Sequence, residues 1–306
     1  MNAFVYLALM ITIAACPSAR ADCDHPVASG FFPESLTAFS GELESVGRQP
    51  LPRICTALPA DFGDGEESLV VAYSNGVGGA VRVLRRPGST WTVGGTFDGD
   101  LAGTRPILQL LDVNADDRPE IVVAFRSPQW NFPHWILAWD GSSLSSLTPD
   151  TDASGWTDLL DPHFVDLDGD GKLEIIDGSG GKDQVYRLSG DGGYLACAGE
   201  TPVANLYVGH EGKPKTITYM FDVSDPARDW ELKVINGDAS GSERASSAVV
   251  SLNGRVVVRP SDLNATIARF SVPVGLVGSN SLDVELRGQP DARVWVLITP
   301  ADGVCP

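Results

Sequence analysis

Basic residues are scarce in this chain. Its 306 residues include 22 Lys+Arg against 40 Asp+Glu, a formal net charge of −18. Proteins that grip nucleic acid without sequence preference neutralise phosphates with Lys and Arg, so nucleic acid is not an expected partner. Long apolar stretches are also lacking. The run AFVYLALMITIAA over residues 3–15 has 13 residues, short of the ~20 that a membrane-spanning helix needs. There is no CxxC pair, which argues against a structural zinc site. The four histidines, His25, His134, His163 and His210, fall in no HExxH motif and no close Ser/His/Asp grouping. No GxSxG elbow, P-loop or GxGxxG opening a helix occurs. The turn Gly178-Ser-Gly-Gly181 has no helical sequence after it, so it is not read as a phosphate cradle. The chain is therefore expected to be non-enzymatic.

The content that remains is that of a packed, turn-rich β protein. Hydrophobic residues make up 43%, with 33 Gly and 21 Pro, a Gly+Pro share above the usual ~12%. Residues 1–21 read as a secretory signal peptide: the 13-residue apolar run is followed by Ala19-Arg20-Ala21, a small-x-small cleavage pattern. A second reading takes Ile13-Ala14-Ala15-Cys16 as a lipoprotein signal, with Cys16 a lipid anchor. Expected localisation is accordingly secreted, extracellular or periplasmic, with envelope anchoring as the alternative. Cys23, Cys55, Cys197 and Cys305 remain after either processing event. An even number in a secreted chain suggests two disulfides, with three connectivities open and Cys23–Cys55 plus Cys197–Cys305 preferred.

Three segments repeat. The clearest is His163-Phe-Val-Asp166-Leu-Asp168-Gly-Asp170-Gly-Lys172-Leu-Glu174-Ile-Ile176. The second is Leu110-Leu-Asp112-Val-Asn114-Ala-Asp116-Asp-Arg118-Pro-Glu120-Ile-Val122. The third, degenerate, is Ala60-Asp61-Phe-Gly63-Asp64-Gly-Glu66-Glu67-Ser-Leu-Val70. Their first aspartates are 51 and 54 residues apart. Each acidic loop runs into an apolar strand (Leu69–Tyr73, Ile121–Phe125, Glu174–Ile176), then a second strand (Ala80–Leu84, Trp135–Trp139, Val185–Leu188) and a Gly turn. A period of about 50 residues with several strands per unit reads as propeller-type blades. Residues 24–50 or 201–222 are the places where a fourth blade could lie.

The loop chemistry suits calcium, a hard cation that takes about 6–8 oxygens. Asp166, Asp168 and Asp170 alternate around one tight turn, Gly169 and Gly171 allow positive φ, the Lys172 carbonyl adds an oxygen, and Glu174 closes the loop. An EF-hand needs its acid at position 12 and flanking helices, whereas here it stands at position 9 before β-type sequence. The pattern resembles the FG-GAP/VCBS repeats of integrin α propellers and bacterial secreted proteins, over roughly residues 55–200. The resemblance implies structural Ca²⁺ at two loops. One uses Asp166, Asp168, Asp170, the carbonyl of Lys172, and Glu174. The other uses Asp112, Asn114, Asp116, the carbonyl of Arg118, and Glu120, with Ala115 and Asp117 in place of the glycines. In the shorter first loop Ser68 stands where the closing acid belongs, so no metal is expected there.

After residue 203 the pattern changes. Short strands recur about every ten residues, over Thr216–Val223, Glu231–Ile235, Ser247–Leu252, Arg255–Val258, Thr266–Val272, Ser281–Leu286 and Arg293–Ile298. Asn253-Gly254 between apolar runs signals a two-residue hairpin. Seven strands suggest an immunoglobulin-like β-sandwich over 204–306. The segments Ala248–Gly254, Pro260–Asn264 and Asn280–Arg287 are similar to a sandwich module appended to bacterial surface proteins. The expected fold class is thus all-β: propeller-like repeats over 22–203, then a sandwich. The expected role is extracellular or cell-surface binding or adhesion, to a protein or a glycan. A carbohydrate-binding module using Trp130 or Trp135 is the alternative, and a secreted hydrolase on a propeller scaffold is the remote one.

Overall fold

The computed structural model describes residues 53–74, 79–99, 105–126, 133–149, 159–178, 184–190, 192–197, 201–209, 214–238 and 242–302. These residues are all-β, in twenty strands and five four-stranded antiparallel sheets. No helix among them is long and apolar enough to cross a membrane. The expected signal peptide, Cys16 and the candidate blade at residues 24–50 lie outside the described residues, as do Cys23 and Cys305 of the expected cysteine pairs.

The first twelve strands form three up-and-down sheets. Sheet 1 is β1 (Arg53–Ala60), β2 (Glu67–Ser74), β3 (Gly79–Arg86) and β4 (Thr92–Gly99), in chain order. Sheet 2 is β5 (Arg105–Leu111), β6 (Glu120–Arg126), β7 (His134–Trp139) and β8 (Leu144–Ser146). Sheet 3 is β9 (Pro162–Val165), β10 (Glu174–Asp177), β11 (Gln184–Leu188) and β12 (Tyr194–Ala196). The β1, β5 and β9 strands were not among those expected from sequence. Each ends directly at its acidic loop, so the three loops are the first hairpins of three equivalent sheets.

The sheets pack face on face in chain order. Because side chains alternate along a strand, each inner strand serves two cores. Val70, Ala72, Val81 and Val83 of sheet 1 meet Ile121, Val123, Trp135 and Leu137 of sheet 2. From the opposite face of sheet 2, Val122 and Ile136 meet Ile175 and Tyr194 of sheet 3. The Trp139 ring demands a close approach: a Cβ on Gly95 of β4 would lie 2.2 Å from it, so only glycine fits there.

The remaining eight strands build a sandwich. One sheet has the order β13 (Val203–Val208), β20 (Arg293–Pro300), β15 (Trp230–Asn236), β18 (Arg269–Val274). The other has β14 (Thr216–Asp222), β19 (Ser279–Arg287), β16 (Ser247–Leu252), β17 (Arg255–Val258). This order differs from the seven-stranded immunoglobulin arrangement expected, whose sheets run ABED and CFG. Eight strands that change sheet at every connection but the β16–β17 hairpin follow the double-sheet jelly-roll plan. The first strand, β13, pairs with the last, β20, and the second, β14, with the seventh, β19, whereas the immunoglobulin order pairs neither. Residues 201–222 are therefore sandwich strands β13 and β14, not a fourth blade. The Asn253-Gly254 hairpin is as expected, both residues having positive φ (51° and 75°).

The sandwich also covers the free face of sheet 3. Val294, Val296 and Ile298 of β20 point into the sandwich core. Trp295 and Leu297 join Val165, Ile176, Val185 and Cys197 of sheet 3 in a separate core. The unbroken apolar run 294–298 thus records a strand buried on both faces. Strand β19, with one face toward solvent, alternates instead. At the rim of this sheet buried Asn236 clamps two loops: its Nδ2 donates to the carbonyls of Ala245, Asn264 and Ile267, and its Oδ1 accepts from the Ala245 N–H at 2.8 Å.

Candidate metal centre

The three acidic hairpins share one backbone plan. In the third loop Gly169 and Gly171 have φ of 93° and 89°. In the second, Ala115 and Asp117 take the same places at 62° and 65°, a left-handed conformation that costs a residue with a Cβ about 1–2 kcal/mol. Keeping that geometry without glycine shows that the turn, not the residue, is what the loop requires. In the first loop Gly63 and Gly65 are also positive, at 75° and 78°.

The third loop gathers its acids around backbone donors. Asp166 accepts from the N–H groups of Gly169 (2.7 Å) and Gly171 (3.3 Å), Asp168 from Asp170 N–H (3.0 Å), and Asp170 from Lys172 N–H (2.8 Å). Glu174, 4% exposed, accepts from the Leu167 N–H at 2.7 Å. One carboxylate oxygen from each of Asp166, Asp168 and Glu174 lies within 4.8 Å of the others. Oxygens that ligate one Ca²⁺ at 2.3–2.6 Å stand no more than about 5 Å apart, so this donor set fits the ion. Asp170 is not part of that group of three. The exposed side chain of Lys172 leaves its carbonyl as the available donor.

The second loop is similar but looser. Glu120, also 4% exposed, accepts from the Val113 N–H at 2.9 Å, and its other oxygen accepts from Asn114 Nδ2 at 3.0 Å. Asp112 accepts from the N–H groups of Asp116 and Asp117, and Asp116 from Arg118 N–H. The structure does not bring Asp112, Asp116 and Glu120 as close together as the trio of the third loop; among the described residues that trio is the one such cluster. Burial pushes both Glu174 and Glu120 up to about 7, aided by neighbouring aspartates and opposed by the loop N–H groups. Two carboxylates held out of water beside like charges are short of positive charge.

The first loop shows what supplies it. Ser68 lies opposite Ala60 on β1, as Glu174 lies opposite Val165 and Glu120 opposite Leu111. It is therefore the register equivalent of the two buried glutamates, as the sequence suggests. Across on β3 its partner is Arg85. The Arg85 guanidinium reaches Asp64 at 2.8 Å and Glu66 at 2.5 Å, and it sits 5.8 Å from the Trp139 ring centre. This loop carries its own cation.

Two arginines absent from the sequence-based site also enter the third loop. Arg187 pairs with Asp168 and approaches Asp170 (3.7 Å) and Glu174 (3.6 Å). It follows the Ile175–Tyr186 pair and so matches the position of Arg85. In sheet 2 the Ile121–Leu137 pair puts Ala138 there. Arg269 of β18 reaches Asp166 at 2.5 Å. The Arg85/Arg187 match is readable once strand register is known. Arg269 has no local signal, because it arrives from the sandwich.

The loops also touch one another. Leu173 N–H donates to the Val113 carbonyl at 2.9 Å, and the buried Tyr194 hydroxyl donates to the Leu173 carbonyl at 2.6 Å. Of the aromatic residues considered for sugar stacking, Trp135 is 5% exposed in the core between sheets 1 and 2. It is thus unavailable for that role, and Trp130 lies outside the described residues.

No protein-family model matches the chain, and no curated protein matches it. Solved structures match weakly. An exo-β-1,3-galactanase from Phanerochaete chrysosporium in complex with β-1,3-galactotriose is 15% identical, over 79% of this chain and 67% of that one, with a TM-score of 0.22. An M60 catalytic domain with two CBM51 domains from Clostridium perfringens is 10% identical, over 80% and 31%, at 0.23. A GH31 α-xylosidase from Xanthomonas citri is 11% identical, over 81% and 33%, at 0.18. The matched region spans about a third of the length of the latter two. Scores this low mark no shared overall fold, and nothing about this chain follows from them.

Proposed function

We propose that this chain is a secreted, non-catalytic binding protein of the FG-GAP/VCBS type, whose second and third loops each hold a structural Ca²⁺. Asp166, Asp168 and Glu174, with Asp170 and the Lys172 carbonyl, form one site. Asp112, Asn114, Asp116, the Arg118 carbonyl and Glu120 form the other. The observation that carries this reading is the register match among the three loops. Where the closing residue is a buried glutamate the loop holds a carboxylate out of water, and where it is Ser68 the acids are partly exposed and Arg85 pairs with two of them. Bound calcium neutralises carboxylates that the chain holds beside one another. The Val113–Leu173 bond then joins two ordered hairpins into one rigid rim.

The partner is an extracellular protein or a glycan, and the setting is secretion or attachment to the cell envelope. Calorimetric titration tests the reading: calcium should bind at two sites per chain, and binding at none, with no change of melting point on chelation, would refute it.

A further inference from the structure

We propose that Asn264 carries an N-linked glycan in the exported protein. Asn264-Ala-Thr266 is the chain's one Asn-x-Ser/Thr triplet, the acceptor pattern for that modification. An acid, Asp262, stands two residues before the acceptor. A triplet alone selects nothing unless the folded chain leaves the acceptor nitrogen free and the glycan room. This fold does both.

Six asparagines lie among the described residues, and of these Asn264 alone has a side-chain nitrogen that is neither donating nor buried. Asn114 Nδ2 donates to Glu120, Asn236 Nδ2 to three carbonyls, Asn253 Nδ2 to Asn280, and Asn280 Nδ2 to the Val277 carbonyl. Asn205 Nδ2 is buried. On Asn264 the hydrogen bonds fall on the oxygens instead. Its Oδ1 accepts from the Thr266 N–H at 2.9 Å and from the Thr266 hydroxyl at 2.6 Å, and its carbonyl accepts from Asn236 Nδ2 and the Ile267 N–H. The residue that completes the triplet thus holds the acceptor carboxamide by its oxygen and leaves the nitrogen to water.

The surroundings leave room for the product. Residues 259–268 form the loop that joins β17 to β18. Among the described residues each of those strands is the last of its sheet, so the loop stands at a free corner of the sandwich. Fully buried Leu263 and the Asn236 clamp pin it from beneath, while Ala265 and Thr266 are exposed. A bulky, hydrated glycan on Nδ2 projects into solvent and displaces no packed group.

An amide nitrogen is a poor nucleophile, because its lone pair is shared with the carbonyl. The step therefore needs a transferase and an activated donor, an oligosaccharide joined through its anomeric carbon to a lipid pyrophosphate. The bond from Nδ2 to the anomeric carbon forms as the carbon–oxygen bond to the pyrophosphate breaks. The lipid pyrophosphate leaves with that electron pair, and the Nδ2 proton passes to a base on the transferase. Donor and transferase belong to the export route, so the proposal rests on the secretion reading and is independent of calcium.

The test is mass spectrometry of the full chain, expressed in its native host with residues 1–21 in place. Trypsin spares the Arg259-Pro260 bond and releases Val256–Arg269, which should carry the added mass of an oligosaccharide on Asn264. Thr266→Ala should abolish the adduct, and Thr266→Ser, which keeps the hydroxyl, should retain it. Asp262→Ala separates two kinds of transferase: loss of the adduct marks one that reads the acid as well as the hydroxyl, retention marks one that reads the triplet alone, and either supports the proposal. An unmodified Val256–Arg269 in a chain that has lost its N-terminal segment would overturn the glycan and leave secretion standing. An unmodified peptide in a chain that keeps residues 1–21 would overturn both. An adduct that persists in Thr266→Ala would belong to another residue of the peptide and would also overturn the proposal.

Discussion

The first and third hairpin loops solve one problem in two ways. Both turn through paired positive-φ residues, both crowd acids at the mouth of a sheet, and both have an arginine at the same place on the third strand. In the first loop the closing residue is Ser68, and Arg85, 9% exposed, neutralises Asp64 and Glu66. In the third the closing residue is buried Glu174, and Arg187, 41% exposed, faces three acids at once. One guanidinium balances two partly exposed acids. In the third loop two guanidinium groups, Arg187 and Arg269, meet four acids, and the acid that sets it apart is Glu174, which is buried and which Arg187 approaches only to 3.6 Å.

Breaking the first loop should have the largest effect. Arg85→Met strands Asp64 and Glu66 and removes the cation from the Trp139 face. A loss of about 3 kcal/mol is expected, at the low end for a broken buried pair because the acids are partly exposed. It should be the same in calcium and in chelator, as read by urea unfolding.

Breaking the third loop should act chiefly through calcium. Asp166→Asn with Glu174→Gln should reduce the stoichiometry from two sites to one, a loss of about hundredfold or more at that loop. Asp64→Asn in the first loop should leave the stoichiometry at two.

The pH response sharpens the contrast. Glu120 and Glu174 shift up from 4.5 to about 7 on folding without metal. Their contribution to stability is therefore complete below pH 4.5 and is lost as pH rises through 7. In chelator the melting point should fall between pH 5 and pH 8, and calcium should cancel the fall. The Arg85-closed loop should add nothing to this difference.

Two smaller changes test the competition itself. Arg187→Ala should tighten calcium at the third loop about tenfold, as Coulomb competition in partly exposed surroundings allows, while costing the metal-free protein at most about 1 kcal/mol. Ala115→Gly should stabilise the second loop by about 1 kcal/mol, by relieving its positive φ, as measured by thermal unfolding.

Much of this was legible in the residues. The all-β class followed from turn residues between β-branched runs, and the loop positions followed from the Asp-x-Asp spacing. Ser68 as the break in the first loop was readable by alignment alone. Three features were not. Strands β1, β5 and β9 hide because each runs into its acidic loop without a turn signal of its own. Strand β13 is missed because the expected domain boundary at 203/204 falls on its first residue, with residues 201–222 left open as a fourth blade. The sandwich topology was beyond reach because alternation reports which face is buried but not which sheet a strand joins. Arg187 and Arg269 were missed for a related reason: cross-sheet and cross-unit neighbours leave no spacing signal.

The central claim is that the second and third loops depend on an added cation and the first does not. Thermal unfolding of the full chain at pH 7.5, with calcium and with chelator, tests it most directly. The account predicts a clearly higher midpoint in calcium for the parent and for Asp64→Asn, and no difference for a chain carrying Glu120→Gln and Glu174→Gln. Identical midpoints for the parent in calcium and in chelator would contradict it.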